Sequence, residues 1–215
     1  MTQIYALYRY YVLQGIIILE HLTRFYLHKI KAIERKSTFV ENTLIYYKTP
    51  MFNIRKATIE DIEIIRGLAK QTFPVTYQKI LTPEQIDYMM EWMYSAESLK
   101  NQMEKEHHIY YLAYEECEPA GYVSIQQEGP DLFHLQKIYV LPYFQKYKLG
   151  RQLFQQAIKG IKELHPKPCR MELNVNRHNP ALGFYEHMGM KKVREGDFPI
   201  GNGYYMNDYI MGLDI

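Results

Sequence analysis

Apolar and polar positions alternate over residues 52–57, which predicts a strand. Thr58 and Asp61 follow as a capping-box start, with a carboxylate near the positive end of the helix. Ile62, Ile65, Leu68 and Ala69 then recur at helical spacing to about Gln71. A second helix start stands at Thr82, with Pro83 at the first helical position and Gln85 at the third, and the pattern runs to about Met93. A third short helix is predicted over 98–105. Residues 108–114 and 121–127 flank the polar stretch EECEPA and read as a hairpin, and 135–140 as the next strand. Leu153, Phe154, Ala157, Ile158 and Ile161 form the buried stripe of a long helix over 149–164. Residues 170–175 alternate again, with Met171, Leu173 and Val175 inward and Glu172 and Asn174 outward. A helix over 180–188 is closed by Gly189, and 191–195 and 204–213 read as the last strands. The order is β-α-α-α-β-β-β-α-β-α-β-β, an α/β (α+β) fold with a mixed sheet and helices on both faces.

Residues 1–50 do not share this pattern. Their apolar centre, Tyr11 to Leu19, is interrupted by Gln14 and Gly15 and closed by Glu20, His21 and Arg24. That falls short of the ~20 apolar residues of a spanning helix, so no integral membrane segment is expected. The basic residues follow the apolar run instead of preceding it, and no small-residue cleavage site is seen, which argues against a signal peptide. Three readings stay open: an amphipathic surface helix, a membrane-interface helix, or sequence upstream of the natural start. The expected organisation is an extension over 1–50 and one domain over 51–215.

Composition narrows the functional classes. The net charge of +2 gives no argument for nucleic acid or a membrane surface as partner. The 21 tyrosines, against 9 Phe and 1 Trp, imply many half-exposed rings with wet hydroxyls, as a polar small-molecule pocket would use. The two cysteines, Cys117 and Cys169, have no CxxC spacing, and His107 and His108 are adjacent and point opposite ways in a strand. Neither a metal nor a disulfide framework is expected, and reduced thiols suit a cytoplasmic protein.

The stretch LPYFQKYKLGRQLF, residues 141–154, carries the chemistry. A turn feeding a helix leaves the first helical N–H groups without partners, and with the macrodipole they make an anion site. Lys146, Lys148 and Arg151 add cations there, and Gly150 permits close approach to the chain. The loop suits a pyrophosphate, but neither GxxxxGK[ST] nor GxGxxG is present. An ordinary helix start with solvated lysines has the same local sequence.

IYVLPYFQKYKLGRQLF resembles the acetyl-CoA-binding segment of the GNAT superfamily of N-acetyltransferases, in which a strand runs into a Q/R-x-x-G-x-G/A loop. Gln145 and Gly150 keep that pattern with Leu149 between them, while Lys148 replaces the first glycine. If that position needs a positive φ, a lysine is strained there. NPALGFYEHMGM, residues 179–190, is similar to the family's second block of Asn, Ala, Tyr and Gly, with Met190 in place of the usual aromatic. The resemblance covers nearly all of 51–215. It implies a mostly antiparallel central sheet and acetyl-CoA as co-substrate, whose acetyl group passes to a primary amine through a tetrahedral intermediate.

The resemblance also implies roles. Main-chain amides of Gln145, Lys146, Tyr147, Lys148, Leu149, Gly150 and Arg151 would hold the pyrophosphate. Ile138, Tyr139 and Val140 would pair with the pantetheine arm, Asn179 would order the next turn and bond the cofactor, and Tyr185 would give a proton to the leaving thiolate. The general base is open. Period-2 alternation puts His134, Gln136, Ile138 and Val140 on one face, so His134 is a candidate, with Glu128, Glu172 or a water relay as alternatives. Residues 72–103 and the C-terminal stretch 197–213 look similar to the spermidine/spermine N-acetyltransferase branch. Glu84, Asp87 and Glu91 share one helix face and could hold a polyamine or be solvated. A non-catalytic acyl-CoA-binding or sensing domain is the alternative function. A homodimer using the tyrosines of the last strands is a further expectation.

Overall fold

A computed structural model describes residues 50–215, and the three readings of the N-terminal extension lie outside these described residues. Seven strands form one sheet in the order β1-β2-β3-β4-β5-β7-β6. They are β1 (Phe52–Lys56), β2 (Ile109–Glu115), β3 (Glu118–Gly129), β4 (Leu132–Val140), β5 (Arg170–Asn176), β6 (Lys191–Gly201) and β7 (Tyr204–Asp214). Every neighbouring pair is antiparallel except β4 and β5. After β1 and a 3-10 turn (Ile59–Asp61) come α1 (Ile62–Tyr77), α2 (Pro83–Tyr94) and α3 (Ala96–Glu104). After β4 come a single turn of helix, α4 (Pro142–Gln145), and the long α5 (Leu149–Leu164), and α6 (Leu182–His187) links β5 to β6. The mixed sheet with helices on both faces, expected from the pattern, is the architecture observed. Among the described residues no helix is long and apolar enough to cross a membrane.

Each face of the sheet buries its own core. Ile65, Leu68, Phe73 and Leu99 from α1 and α3 close over Tyr110, Leu112 and Tyr122. On the other face Leu153, Phe154, Ala157 and Ile161 of α5 close over Val123, Ile125, Phe133 and Leu173. Burial of such aliphatic and aromatic groups, about 1.5–3 kcal/mol each, is what fixes α5 to the sheet.

Three local outcomes differ from the sequence pattern. The first helix does not stop near Gln71 but continues through Pro74 to Tyr77. Proline removes one ladder bond, yet Phe73 and Tyr77 are both buried and in ring contact at 4.5 Å. The Thr72 and Thr76 hydroxyls donate back to carbonyls four residues earlier. The sixth helix begins at Leu182, two residues late, because Asn179 Oδ1 accepts from the Ala181 N–H at 2.9 Å and holds a turn there. Strand β6 runs on to Gly201 through Pro199, which its edge position tolerates.

The sheet's central feature is an opening. Parallel β4 and β5 pair only at Leu132–Arg170, Phe133–Met171 and His134–Glu172. Beyond His134 the strands diverge, leaving that edge of β4 without a neighbour up to Val140. A bulge also shifts the β3–β4 register, with Ser124 opposite Lys137 but Ile125 opposite Leu135, so Gln136 is the extra residue.

Candidate active site

Two cavities occupy the opening between β4 and β5. The smaller, about 290 Å³, lies toward α1 and α2 and is walled by β4, β5 and the β6–β7 hairpin. The larger, about 1210 Å³, lies toward the start of α5 and α6. Thr76, Ile138, Val140, Gln145, Asn179 and Tyr185 line both, so these side chains form the partition between them.

The larger cavity is built on the start of α5. Lys148 is its N-cap and has φ +60° and ψ +21°, the left-handed region. The Lys148 carbonyl accepts from the N–H groups of Arg151 and Gln152, at 3.1 and 3.3 Å. The Leu149 and Gly150 N–H groups, which precede Arg151, have no intrahelical acceptor and stand at the positive end of a sixteen-residue helix. A Cβ built on Gly150 would meet nothing closer than Phe184 at 3.6 Å, an ordinary contact. Packing within the protein therefore does not require glycine here, and the space it leaves open belongs to the cavity. Lys148 and Arg151 line the cavity with Gly150, and His178 and His187 stand on its other wall.

Not every residue singled out in this segment reaches the cleft with its side chain. Leu149 is fully buried in the core beneath α5. Lys146 instead lies over the rings of Tyr143 and Tyr147, at 5.1 and 5.0 Å, and neither Lys146 nor Tyr147 lines a cavity. The Lys146 and Tyr147 N–H groups turn back to the Phe144 carbonyl, so of these three positions only Leu149 keeps a main-chain N–H without an acceptor. Gln145 donates from Nε2 to the Val140 carbonyl at 3.3 Å, tying the turn to the end of β4. Tyr139 lies on the opposite face from Ile138 and Val140, stacked on Tyr122 at 5.6 Å, and lines the smaller cavity alone.

Tyr185 projects from α6 into the partition and is 8% exposed. Burial, with the neighbouring Tyr77, pushes its phenol far above the ordinary value, so it stays protonated and carries a proton to donate. Tyr77 is raised too, chiefly by burial, against the opposing hydrogen bonds of Tyr139 and Asn179 and with a further rise from the charge of Asp208.

His134 stands elsewhere. The bulge at Gln136 breaks the expected alternation, so His134 shares a face with Lys137 and Tyr139, opposite to Ile138 and Val140. It lines neither cavity, and its Nδ1 lies 3.4 Å from Glu128 Oε2. Glu128 is held below the usual carboxylate range first by that histidine. Glu172 is buried between Arg170 and Arg194, with contacts of 3.1 and 2.8 Å. None of the three is presented to a reacting group. Glu84, Asp87 and Glu91 are exposed on α2 and likewise line neither cavity.

Two charged groups in the smaller cavity escaped the sequence reading. Asp208 on β7 is 4% exposed, and its Oδ2 accepts from Asn174 Nδ2 at 3.3 Å, while its buried Oδ1 has no partner among the described residues. Burial raises its carboxyl above the usual range, against the pull of Asn174 and Arg177. Lys137 on β4 is 8% exposed, donates to Gln102 Oε1 at 2.7 Å, and lies over the Tyr94 and Tyr110 rings at 5.7 and 5.6 Å. Burial lowers its ammonium to about 7. The strand pattern alone signals both, as charged residues at positions where a strand interior runs apolar.

The family description "Acetyltransferase (GNAT) domain" matches residues 77–206, which include the turn before α5, β5 and α6. A spermidine N(1)-acetyltransferase of Thermoplasma acidophilum is 27% identical over 143 residues, 64% of this chain and 87% of that protein. The crystal structure of the PaiA N-acetyltransferase from Thermoplasma acidophilum in complex with coenzyme A superposes with a TM-score of 0.65 at 24% identity, over 77% of this chain and 99% of that one. An acetyltransferase from Thermus thermophilus gives 0.54 at 20% identity, over 76% and 97%. At these identities the structural likeness bears on the fold.

Proposed function

Because this chain belongs to the GNAT acetyltransferase family and is an acyltransferase by that membership, we propose that its larger cavity takes acetyl-CoA, that its smaller cavity takes a small primary amine, and that the acetyl group passes between them at Tyr185. The observation that carries this reading is the shared partition: one cavity ends on an anion-binding helix start, the other on a carboxylate, and both open onto the unpaired edge of β4.

The physical argument runs along that edge. The pantetheine arm carries amides, and beyond His134 the edge of β4 offers unpaired main-chain groups to a short added strand. The pyrophosphate would sit on the first-turn amides of α5, near Lys148 and Arg151. That docking leaves the thioester between Ile138, Val140 and Tyr185, with Asn179 holding the turn before α6. Positioning two reactants this way supplies much of the acceleration. As the amine attacks the carbonyl carbon, a main-chain N–H on the β4 edge is available to the oxyanion. When the C–S bond breaks, the Tyr185 hydroxyl protonates the thiolate.

Polyamines belong in the comparison of acceptors because the Thermoplasma relative is a spermidine N(1)-acetyltransferase. The test is a thiol-release assay of the full chain with acetyl-CoA and a panel of amines including spermidine. Release that depends on both components is expected. Coenzyme A binding without release for any amine would favour a sensing domain, and absence of binding would refute the reading.

A further inference from the structure

Resting on the acyl-transfer reading, we propose that Asp208 binds the acceptor's ammonium group and removes its proton, and that the cavity around it selects a primary amine with a single cationic centre on an apolar or aromatic body. Asp208 is a carboxylate in a wall that otherwise carries no acidic side chain. It is nine-tenths buried, and one oxygen lacks any partner among the described residues, although the Asn174 amide fixes the other. A buried, half-satisfied carboxylate is unfavourable unless something completes it. Arg177, the cation whose charge pulls on this carboxyl, is not its ion-pair partner: its guanidinium bonds Asp197 at 2.9 Å.

The rest of the wall says what the ammonium is attached to. Phe73, Met89, Trp92, Met93, Phe198 and Met206 surround the space in front of Asp208. Methionine and aromatic side chains adapt to an apolar body of irregular shape. A second or third ammonium inside this cavity would find no further carboxylate and would meet Lys137, which lines the same wall. The acidic face of α2, which could have served a polycation, is turned away from it.

The step balances as follows. The ammonium gives one proton to the Asp208 carboxylate, and the freed nitrogen lone pair attacks the thioester carbonyl carbon, forming C–N and an oxyanion. Collapse breaks C–S. The thiolate takes the Tyr185 proton, and the second proton from nitrogen restores the phenol. Asp208 releases its proton to solvent, leaving the N-acetyl amine, coenzyme A and one proton.

The test uses the full chain, with thiol release measured for 2-phenylethylamine, hexylamine and spermidine, and coenzyme A binding measured in parallel. We expect higher kcat/KM for the two monoamines than for spermidine. Asp208→Asn should lower it about 10²- to 10⁴-fold with coenzyme A affinity unchanged. The loss should shrink as pH rises toward the amine's own pKa, since the amine then arrives neutral, and Asp208→Glu should recover part of the rate. The other titratable groups facing this space are Tyr77, Tyr94, Tyr139, Tyr185 and Lys137, with Arg177 nearby. Lys137→Met should therefore leave the dependence on Asp208 in place. Met93→Glu is the second variant, and adding a carboxylate should move preference toward diamines. Spermidine as the best acceptor, or an Asp208→Asn enzyme with unchanged rate and pH profile, would overturn this inference while leaving acyl transfer standing. Failure of coenzyme A to bind would remove both.

Discussion

Lys148 stands where a left-handed backbone is required, and replacing it separates strain from charge. Its φ of +60° costs a side-chain-bearing residue about 1–2 kcal/mol. Glycine gives back about 0.4–1 kcal/mol through the freedom of its unfolded chain. Lys148→Gly should therefore exceed Lys148→Ala in stability by roughly 0.5–1 kcal/mol, because alanine keeps the strain and glycine does not. For a chain of this length that is a difference of about 1–4 °C in melting temperature. Both variants lose the same exposed ammonium beside the larger cavity, and an exposed ion pair is worth at most about 1 kcal/mol, so each should lose about fivefold in coenzyme A affinity at most. Thermal melts and calorimetric titration of the two variants read these quantities independently. Equal melting temperatures would show that this turn does not hold a positive φ in solution. An affinity lost in alanine but kept in glycine would show that strain, not charge, governs the site.

Tyr185→Phe should lower turnover about 10²-fold or more while the coenzyme A titration is unchanged, and an unaltered rate would remove Tyr185 as the acid. Gly150→Val should leave the melting temperature near wild type, since a Cβ there meets Phe184 only at 3.6 Å, yet weaken coenzyme A binding about tenfold or more if a charge-assisted main-chain contact is blocked. Asp61 is held at about 2, against 3.8 for the free side chain, first by the Arg55 hydrogen bonds of 2.6 and 2.8 Å. A lowered folded pKa contributes stability that is present above the unfolded value and lost as pH falls through the folded one. The melting-temperature gap between wild type and Asp61→Asn should thus be constant at neutral pH and close between about pH 4 and 2. A gap unchanged at pH 2 would contradict it.

Periodicity placed the strands and helices well because each face of this sheet buries a continuous apolar layer, so Leu153, Phe154, Ala157 and Ile161 could point only one way. It misplaced the end of α1, where the burial of Phe73 and Tyr77 outweighs the proline between them. Alternation failed in β4 for a different reason. One extra residue at Gln136 reverses every side chain before it, and nothing in LFHLQKIYV marks that residue as the bulge. His134 was thereby drawn onto the wrong face. The turn before α5 was legible as a local feature, since its chemistry lies in consecutive residues. The smaller cavity was not, because Asp208 meets Tyr77 and Asn174 only once β7 lies beside β5 and the long hairpin closes over α2.

The account depends on main-chain donors of the β4 edge and of the α5 start holding one extended ligand. Amide hydrogen exchange of the full chain with and without coenzyme A measures those groups directly. Slowed exchange at residues 138–140 and 148–151 together, with little change along β1 and α3, is the predicted result. Protection confined to other segments, or none at all at saturating coenzyme A, would contradict it.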